Sequence, residues 1–318
     1  MTLSVLIVGC GNIAGGYDEA DSPEIRSHAK AYRRHGGFTL AACVDPDRDK
    51  AAAFAKRWGV ARHYASLDEI EERAFDVVSL CSPAELHADQ LQALLDWPVR
   101  LVFCEKPLTL DIGQSRRLVA AYEQAGKTLA VNYQRRWETC VRQLRGEDWG
   151  RLLVANGTYT KGVQANGSHM IDLMSALLGP LTAESVTDRV VDYLPDDPTL
   201  GAVLRAADGA PVKLSVGDRR CFTIFELDLL FEQGRVTFGE SGYQWCRRRV
   251  IDDPRYAGYR ILEPVRWEPT ALDRALSEAV GNIAEFLSSG KSLLSTGRTA
   301  LATQEIVARL LNFQGEIR

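Results

Sequence analysis

The sequence opens with "LSVLIVGCGNIAGG" at residues 3–16, an apolar run that leads into a glycine-rich turn. Val5–Val8 is apolar at every position, which is typical of a strand covered on both faces in a parallel sheet. Gly9, Gly11 and Ala14 then fit the pattern GxGxxG/A. In that pattern the first glycine makes a tight turn, the second lets a pyrophosphate approach the backbone, and the small third residue lets a helix pack closely. An ordinary strand-to-helix turn can contain the same glycines, so the surrounding sequence is needed to distinguish it from a dinucleotide-binding turn.

Short apolar runs alternate with helical patterns through the first 132 residues. Four further runs are apolar on both faces: Leu40–Val44, Val77–Cys81, Leu101–Cys104 and Leu129–Val131. Helix-like patterns such as Asp47–Trp58 and Ile112–Ala125 lie between them. Because connections between parallel strands are right-handed, this alternation predicts an α/β Rossmann domain with a doubly wound parallel sheet over residues 1–132. Ligands of such sheets bind beyond the carboxyl ends of the strands.

Composition and charge exclude several classes of protein. With 318 residues, 46% of them apolar and 25% charged, the chain is globular and long enough for two domains. Its net charge of −4 gives no basic surface for nucleic acid or an anionic membrane, and no apolar run approaches the ~20 residues of a membrane span. Residues 1–9 lack the basic start and the cleavage site of a signal peptide. The seven cysteines have no CxxC pair or zinc spacing, which favours a reducing cytoplasm and predicts no metal site.

Asp45 follows the second apolar run, in "CVDPD". A carboxylate there would accept hydrogen bonds from the ribose hydroxyls and repel a 2′-phosphate, so the sequence favours NAD(H) over NADP(H). Asp45 lies farther from the glycine motif than the ~20 residues usual for this fold. The stretch "GYDEADSPEIRS" at 16–27 accounts for the difference as an insertion, either a solvated acidic loop or a lid.

A lysine follows the fourth apolar run, in "CEKPL" at 104–108. Packing alone seldom places a lysine at the end of a buried strand. Lys106 could hydrogen-bond a substrate hydroxyl and stabilise the alkoxide that precedes hydride transfer. The alternative is a lysine at the sheet edge that is paired with Glu105.

The segment "KGVQANGSHMIDLMSALLGP" at 161–180 predicts a helix that Gly179 and Pro180 end. Its apolar stripe consists of Met170, Ile171, Leu173, Met174, Leu177 and Leu178. His169, Asp172 and Ala176 fall on the opposite face. An imidazole with an unperturbed pKa of ~6.5 can exchange a proton near neutrality, which makes His169 a candidate acid/base group. Asp172 could orient it, or could be an exposed aspartate of the first helical turn.

Taken in order, the short motifs resemble the glucose–fructose oxidoreductase/inositol dehydrogenase (Gfo/Idh/MocA) family. The matching residues are GCGNIA (9–14), Asp45, Ser82-Pro83 with His87, Glu105-Lys106-Pro107, NYQRRW (132–137) and HMIDL (169–173). The resemblance implies NAD as cofactor and reversible oxidation of a hydroxyl on a sugar, nucleotide sugar or cyclitol. It also implies a second, α+β domain over 133–318 with an open, mainly antiparallel sheet for substrate binding and oligomerisation, as a homodimer or homotetramer. The C-terminal helix could then pack back on the first domain.

The resemblance also implies roles for individual residues. Lys106 and His169 would be catalytic. The cofactor contacts would be Gly9, Gly11, Asn12, Ile13, Asp45, Ser82, Pro83, His87, Glu105 and Lys106. The substrate contacts would be Tyr133, Arg136, Asn166 and Asp172.

One position departs from the family pattern. The family usually has D-x-G-x-H before the helix, and here Ala165 stands in place of the aspartate that helps the histidine. Asn166 could supply a neutral hydrogen bond, or cap the helix together with Ser168. The departure leaves open a reductase of a non-sugar C=O, C=N or conjugated bond, or a dinucleotide-binding regulatory protein with little turnover. Retention of Lys106 and His169 favours an enzyme.

The second domain is rich in strand patterns separated by glycine turns. Arg247, Arg248 and Arg249 alternate faces on one of these strands, so they could be solvated or could bind a nucleotide diphosphate. The apolar faces of this predicted sheet also favour pairing between protomers.

Overall fold

Six parallel strands form the first sheet. In the computed structural model, which describes residues 2–314, they are β1 (Leu3–Val8), β2 (Phe38–Val44), β3 (Arg62–Tyr64), β4 (Val77–Leu80), β5 (Leu101–Cys104) and β6 (Thr128–Val131). Their order is β3-β2-β1-β4-β5-β6, and every neighbouring pair is parallel. The strand order reverses between β1 and β4, which is where doubly wound sheets bind their ligands. The predicted Rossmann class is confirmed.

The described residues form eight α-helices. They are α1 (His28–His35), α2 (Arg48–Trp58), α3 (His87–Leu94), α4 (Ile112–Gln124), α5 (Thr139–Gly146), α6 (Ser168–Leu178), α7 (Ala275–Ser289) and α8 (Gly297–Leu311). Side-chain caps fix two of the starts. Asp47 accepts the N–H groups of Asp49 and Lys50 at the start of α2, and Asp111 accepts that of Gln114 at the start of α4.

The helix expected directly after the glycine motif is reduced to one turn. Asn12–Gly16 forms a single π-helical turn, and the next helix, α1, begins only at His28. Two adjacent glycines favour helix poorly, and the inserted segment follows them at once. Gly15 is packed against α2, because a Cβ there would lie 2.2 Å from Nε1 of Trp58.

A nine-stranded sheet forms the second part of the fold. Its strands are β7 (Leu152–Tyr159), β8 (Leu181–Leu194), β9 (Asp197–Ala206), β10 (Pro211–Val216), β11 (Phe225–Phe231), β12 (Gly234–Gly239), β13 (Gln244–Asp252), β14 (Arg260–Leu262) and β15 (Trp267–Pro269). The order is β14-β13-β12-β11-β7-β10-β9-β8, with β15 paired to β13. Within the described residues β7 and β10 are parallel and the other pairs are antiparallel, which confirms the mainly antiparallel class.

The chain forms two compact units. The first contains the residues up to Trp137 together with Asp273–Ala302, and the second contains Glu138–Leu272 together with the chain from Thr303 onward. The apolar stripe of α6 lies in the core of the second unit, where Met170 and Met174 are fully buried. The stripe packs closely against Gly157 of β7, because a Cβ there would lie 2.6 Å from Cε of Met174.

Candidate active site

The glycine-rich turn after β1 is shaped for a close approach to the backbone. Gly9 has a φ of 86°, a left-handed value that favours glycine, and a Cβ there would lie 2.6 Å from the backbone N of Ser82. A Cβ at Gly11 would meet no atom within 4 Å, so the backbone there is open to a ligand. Asn12 is exposed and Ile13 is half-buried. The four glycine-turn residues predicted to bind the cofactor therefore lie together at the carboxyl end of β1, and the open backbone fits a dinucleotide pyrophosphate.

Asp45, at the end of β2, has both carboxylate oxygens engaged. Oδ2 accepts the N–H of Cys10 at 2.8 Å and lies 3.1 Å from Nζ of Lys50, while Oδ1 accepts the N–H of Asp47 at 3.1 Å. Burial alone would raise the pKa of Asp45, but these donors outweigh it and lower the pKa, so the group stays ionised. Its bond to a ribose remains a prediction. Lys50, which the sequence analysis missed, reduces the repulsion expected toward a 2′-phosphate.

His87 connects the turns that follow β4 and β5. Its side chain is buried, with Nδ1 2.9 Å from the carbonyl oxygen of Pro107 and Nε2 3.1 Å from that of Ser82. The hydroxyl of Ser82 donates to Oε1 of Gln90 at 2.5 Å, and Pro83 is exposed. Both ring nitrogens of His87 therefore face backbone carbonyls of the site, and its contact with the cofactor remains a prediction.

The Glu105-Lys106-Pro107 turn follows β5 and holds its glutamate firmly. Oε1 of Glu105 accepts a hydrogen bond from Nδ2 of Asn132 at 2.7 Å and lies 2.8 Å from Nε2 of His28. Burial raises the pKa of Glu105, whereas His28, Asn132 and the positive charge of Lys106 lower it, and the net shift is downward. The half-buried Lys106 therefore neighbours a fixed anion, and its peptide bond to Pro107 is cis.

The inserted segment 16–27 is anchored at its base. Asp18 is buried and accepts the hydroxyl of Ser27 at 2.6 Å, and Nζ of Lys30 donates to two carbonyl groups of the insertion at 2.7 and 3.2 Å. His28, the first residue after the insertion, is fully buried, with Nδ1 3.4 Å from the hydroxyl of Ser79. The insertion is thus connected through His28 to Glu105. The other acidic residues of the insertion are exposed: Glu19, Asp21 and Glu24.

Tyr133 and Arg136 follow β6, in the first unit. Tyr133 is 1% exposed and belongs to the apolar core, and Arg136 is 9% exposed in the 3-10 turn Gln134–Trp137. Their predicted role in substrate binding remains a prediction.

In the second unit, His169 follows a π-helical turn that buried polar groups hold in place. The turn spans Gly162–Gly167, and His169 is half-exposed as the second residue of α6. Oδ1 and Oδ2 of Asp197 accept the N–H groups of Gln164 and Ala165, at 2.7 and 2.9 Å. A carboxylate therefore does meet position 165, but it comes from the start of β9 and contacts the backbone.

Three neighbouring side chains complete the support of this turn. The N–H of Gly162 donates to Oγ1 of Thr199 at 2.8 Å, and a Cβ on Gly162 would lie 2.1 Å from Oδ2 of Asp197. Nδ2 of Asn166 donates to the carbonyl of Thr160 at 3.0 Å, and the hydroxyl of Ser168 donates to that of Gln164 at 2.7 Å. Neither Asn166 nor Ser168 caps α6, because the π-turn runs directly into the helix and leaves no extended capping residue.

The face of α6 opposite the apolar stripe is covered. Asp172 is fully buried and its Oδ1 accepts the hydroxyl of Thr303 in α8 at 3.0 Å, so the exposed aspartate considered from the sequence is wrong. Ala176 is also buried. The later half of α8 covers this face of α6, since Val307 and Leu310 belong to the same core as the α6 side chains. A role of Asp172 toward the substrate or His169 remains a prediction.

The three consecutive arginines of β13 have partners within the second unit. Arg247 pairs with Glu147 at 2.9 Å, Arg249 pairs with the same carboxylate at 3.2 Å, and Nε of Arg248 donates to the carbonyl of Glu263 at 2.6 Å. Arg249 also stacks on Trp149, with Cζ 3.5 Å from the ring centroid. These contacts explain the arginines without a bound diphosphate.

Two kinds of feature are absent from the described part of the chain. No group of three or more His, Cys, Asp and Glu side chains is placed to hold a metal ion. No helix among residues 2–314 is long and apolar enough to cross a membrane.

Comparison with known proteins identifies the first unit. Residues 3–133 match the Gfo/Idh/MocA family, described as an oxidoreductase family with an NAD-binding Rossmann fold. These residues are similar to the Rossmann domain of that family. The resemblance noted in the sequence is thereby confirmed, and so is the expectation of a nicotinamide dinucleotide cofactor.

Proteins similar in sequence to this chain include sugar and cyclitol dehydrogenases. The chain is 24% identical over 255 residues to the D-apiose dehydrogenase of Paraburkholderia graminis, covering 72% of this chain and 64% of the relative. It is 28% identical over 238 residues to the inositol 2-dehydrogenase of Leifsonia xyli subsp. xyli, covering 67% and 69%. The chain thus matches about two thirds of the length of these relatives.

A solved structure matches nearly the whole chain. An oxidoreductase from Agrobacterium radiobacter, in complex with NAD+, L-tartaric acid and magnesium, superposes with a TM-score of 0.76 over 98% of this chain and 95% of that one, at 18% identity. At this identity the likeness shows that the two proteins share a fold, including the second sheet.

Proposed function

We propose that the protein is an NAD(H)-dependent oxidoreductase that transfers hydride between the cofactor and a hydroxyl or keto carbon of a sugar, nucleotide sugar or cyclitol. The main observation behind the proposal is the Glu105-Lys106 turn, in which His28 and Asn132 hold the glutamate in place. The same unit contains the glycine turn with its open backbone. The family and its sugar and cyclitol dehydrogenases support the substrate class.

Lys106 stabilises the oxygen of the reacting carbon. His28 and Asn132 hold the buried Glu105 in place, so a fixed anion lies beside the ammonium group of Lys106. An ammonium group close to the substrate hydroxyl favours the developing alkoxide over the alcohol, and it does so most effectively where water is excluded. When bound, the nicotinamide supplies the hydride acceptor.

His169 removes the hydroxyl proton. In the oxidation direction the O–H bond breaks toward the imidazole, the carbon gives up its hydrogen as a hydride, and the C–O bond becomes a carbonyl. In the reduction direction the imidazolium returns the proton. Because the backbone of the preceding turn is held by Asp197 and Thr199, the ring is presented from a fixed base.

We also propose that the protein acts in the cytoplasm as a homodimer or homotetramer. All seven cysteines are free and six are buried, which suits a reducing compartment. Large exposed apolar side chains of the second unit support association: Leu153, Phe222, Tyr243, Val265 and Trp267. Light scattering after size exclusion tests the assembly, and a purely monomeric species would contradict it.

A substrate panel tests the proposed reaction. The protein is incubated with NAD+ and, separately, with free sugars, cyclitols and nucleotide sugars, and the reduced cofactor is measured by its absorbance. We expect reduction with at least one member, and loss of that reduction in Lys106→Ala. If NAD+ binds but no member of the panel reduces it, the proposal is wrong and a regulatory dinucleotide-binding protein is favoured.

A further inference from the structure

Two cations lie close to one aromatic ring near the end of β8. Nζ of Lys161 and Cζ of Arg219 each lie 5.2 Å from the ring centroid of Tyr193. The two charges are therefore no farther apart than twice that distance. Neither side chain forms an ion pair with a carboxylate within residues 2–314, whereas the neighbouring Arg220 is paired with Asp218 at 2.5 Å. Arg219 is exposed and Lys161 is half-buried.

A single buried carboxylate fixes the backbone of both cationic residues. Oδ2 of Asp192 accepts the N–H of Lys161 and the N–H of Arg219, each at 2.9 Å, and Oδ1 accepts the hydroxyl of Thr199 at 2.7 Å. Asp192 is 6% exposed, so its carboxylate is used by the protein and is not presented to solvent. The side-chain charges of Lys161 and Arg219 are therefore carried on backbone that one buried carboxylate holds in place.

The backbone of Lys161 is in a conformation that lysine seldom adopts. Its φ is 72°, in the left-handed region where glycine or asparagine is favoured. Such outliers persist where the surrounding structure enforces them, and they concentrate at functional sites. The hydrogen bond from the N–H of Lys161 to Asp192 helps to enforce this conformation.

The same hairpin holds the turn that leads to His169. Lys161 directly precedes the turn at Gly162–Gly167, and Asp197, at the start of β9, holds that turn through two backbone N–H groups. The cationic pair and the proposed acid/base residue thus share one support within the second unit.

We propose that Lys161 and Arg219 bind an anionic group of the substrate, a carboxylate or a phosphate, while Tyr193 packs beside it. A guanidinium can grip two oxygens of such a group and an ammonium adds a compact point charge. This inference rests on the proposed function, and it narrows the substrate to sugar acids, sugar phosphates or nucleotide sugars.

Binding measured apart from turnover tests the inference. The protein saturated with NADH is titrated in a calorimeter with D-glucuronate, glucose 6-phosphate, UDP and, as the neutral comparison, D-glucose. We expect at least one anion to bind more tightly than D-glucose and to weaken as salt is added. The arm that binds identifies the anion as a carboxylate, a phosphomonoester or a diphosphate.

Matched variants locate the site. Lys161→Asn removes the charge with a residue that tolerates the left-handed backbone, Lys161→Arg keeps the charge, and Arg219→Gln removes the second cation. We expect a loss of tenfold or more in affinity, about 1.4 kcal/mol, for Lys161→Asn and for Arg219→Gln. Lys161→Arg and the control Arg220→Gln should bind nearly as well as the wild type.

The two proposals fail in different ways. If no anion binds better than D-glucose, or if the charge-removing variants bind as the wild type does, the cationic site is wrong while dehydrogenase activity on neutral sugars is untouched. If the anion binds at Lys161 and Arg219 but the substrate panel yields no reduced cofactor, the cationic site holds and the proposed reaction is wrong. Circular dichroism and thermal unfolding confirm that each variant folds.

Discussion

Asp197→Asn should weaken both the fold and the activity, because this carboxylate holds the turn before His169. Asp197 is 3% exposed and accepts two backbone N–H groups, at 2.7 and 2.9 Å. Asparagine keeps an acceptor for one of them and turns its own N–H₂ toward the other. A hydrogen bond to a charged group contributes ~1.5–3 kcal/mol and an unsatisfied buried donor costs a similar amount, so we expect a loss of about 2–4 kcal/mol in unfolding free energy.

The assay combines thermal unfolding with steady-state kinetics. For a domain of this size the loss corresponds to a fall in Tm of roughly 4–16 °C. Because a displacement of ~1 Å in a catalytic group can cost about 10²-fold in rate, kcat should fall markedly while the KM for NAD+ stays unchanged. Asp196→Asn, an exposed neighbour with the same change in charge, is the control. Wild-type Tm and kcat in Asp197→Asn would refute the reasoning.

Three further predictions concern the first unit and the response to acid. NAD(H) should bind more tightly than NADP(H); Asp45→Ala should reduce this difference in affinity, and Lys50→Met should increase it by removing the cation beside Asp45. Calorimetric titration of both cofactors measures the affinities. Equal affinities for the two cofactors in all three proteins would contradict the prediction. Lys106→Ala should lower kcat far more than it lowers the affinity for NAD(H), as measured by steady-state kinetics and calorimetric titration. An unchanged kcat with a lower Tm would instead indicate a structural lysine at the edge of the sheet. The pKa values of Asp45, Glu105 and Asp192 are lowered in the folded protein, so these carboxylates stabilise the fold fully above the unfolded pKa of ~4 and progressively less as the pH falls below it. Tm measured against pH should therefore be constant near neutrality and should fall in acid. A Tm that rises on acidification would contradict this prediction.

The parallel sheet could be predicted because its strands are buried on both faces. A continuous apolar run such as Leu101–Cys104 has few other interpretations between helices. β3 was missed because it has three residues and only half-buried side chains, so it carries neither an apolar run nor a clear alternation. The single π-helical turn after the glycine motif could not be foreseen either, because the insertion at 16–27 follows the motif where a longer helix is usual.

The candidate site could be predicted where one short motif supplies all of it. The glycine turn and the Glu105-Lys106 turn are of this kind. The support of the His169 turn could not be foreseen, because Asp192 and Asp197 lie about 30 residues further along the chain and the β8–β9 hairpin brings them to the turn. Contacts over such a separation are common, since the entropic cost of closing a loop grows only slowly with its length. His28 was missed for a similar reason, because only the fold places it against Glu105.

The pH dependence of hydride transfer in the wild type and in His169→Ala tests the central claim most directly. The rate of NAD+ reduction is measured across pH on the substrate found in the panel, with thermal unfolding as the control. In the oxidation direction the wild-type rate should fall in acid, because an imidazolium cannot accept the hydroxyl proton. His169→Ala should lose roughly 10²–10⁴-fold in kcat, lack that acidic limb and keep most of its Tm. A variant that retains most of the activity, or that shows the wild-type acidic limb unchanged, would contradict the assignment of His169 as the proton carrier.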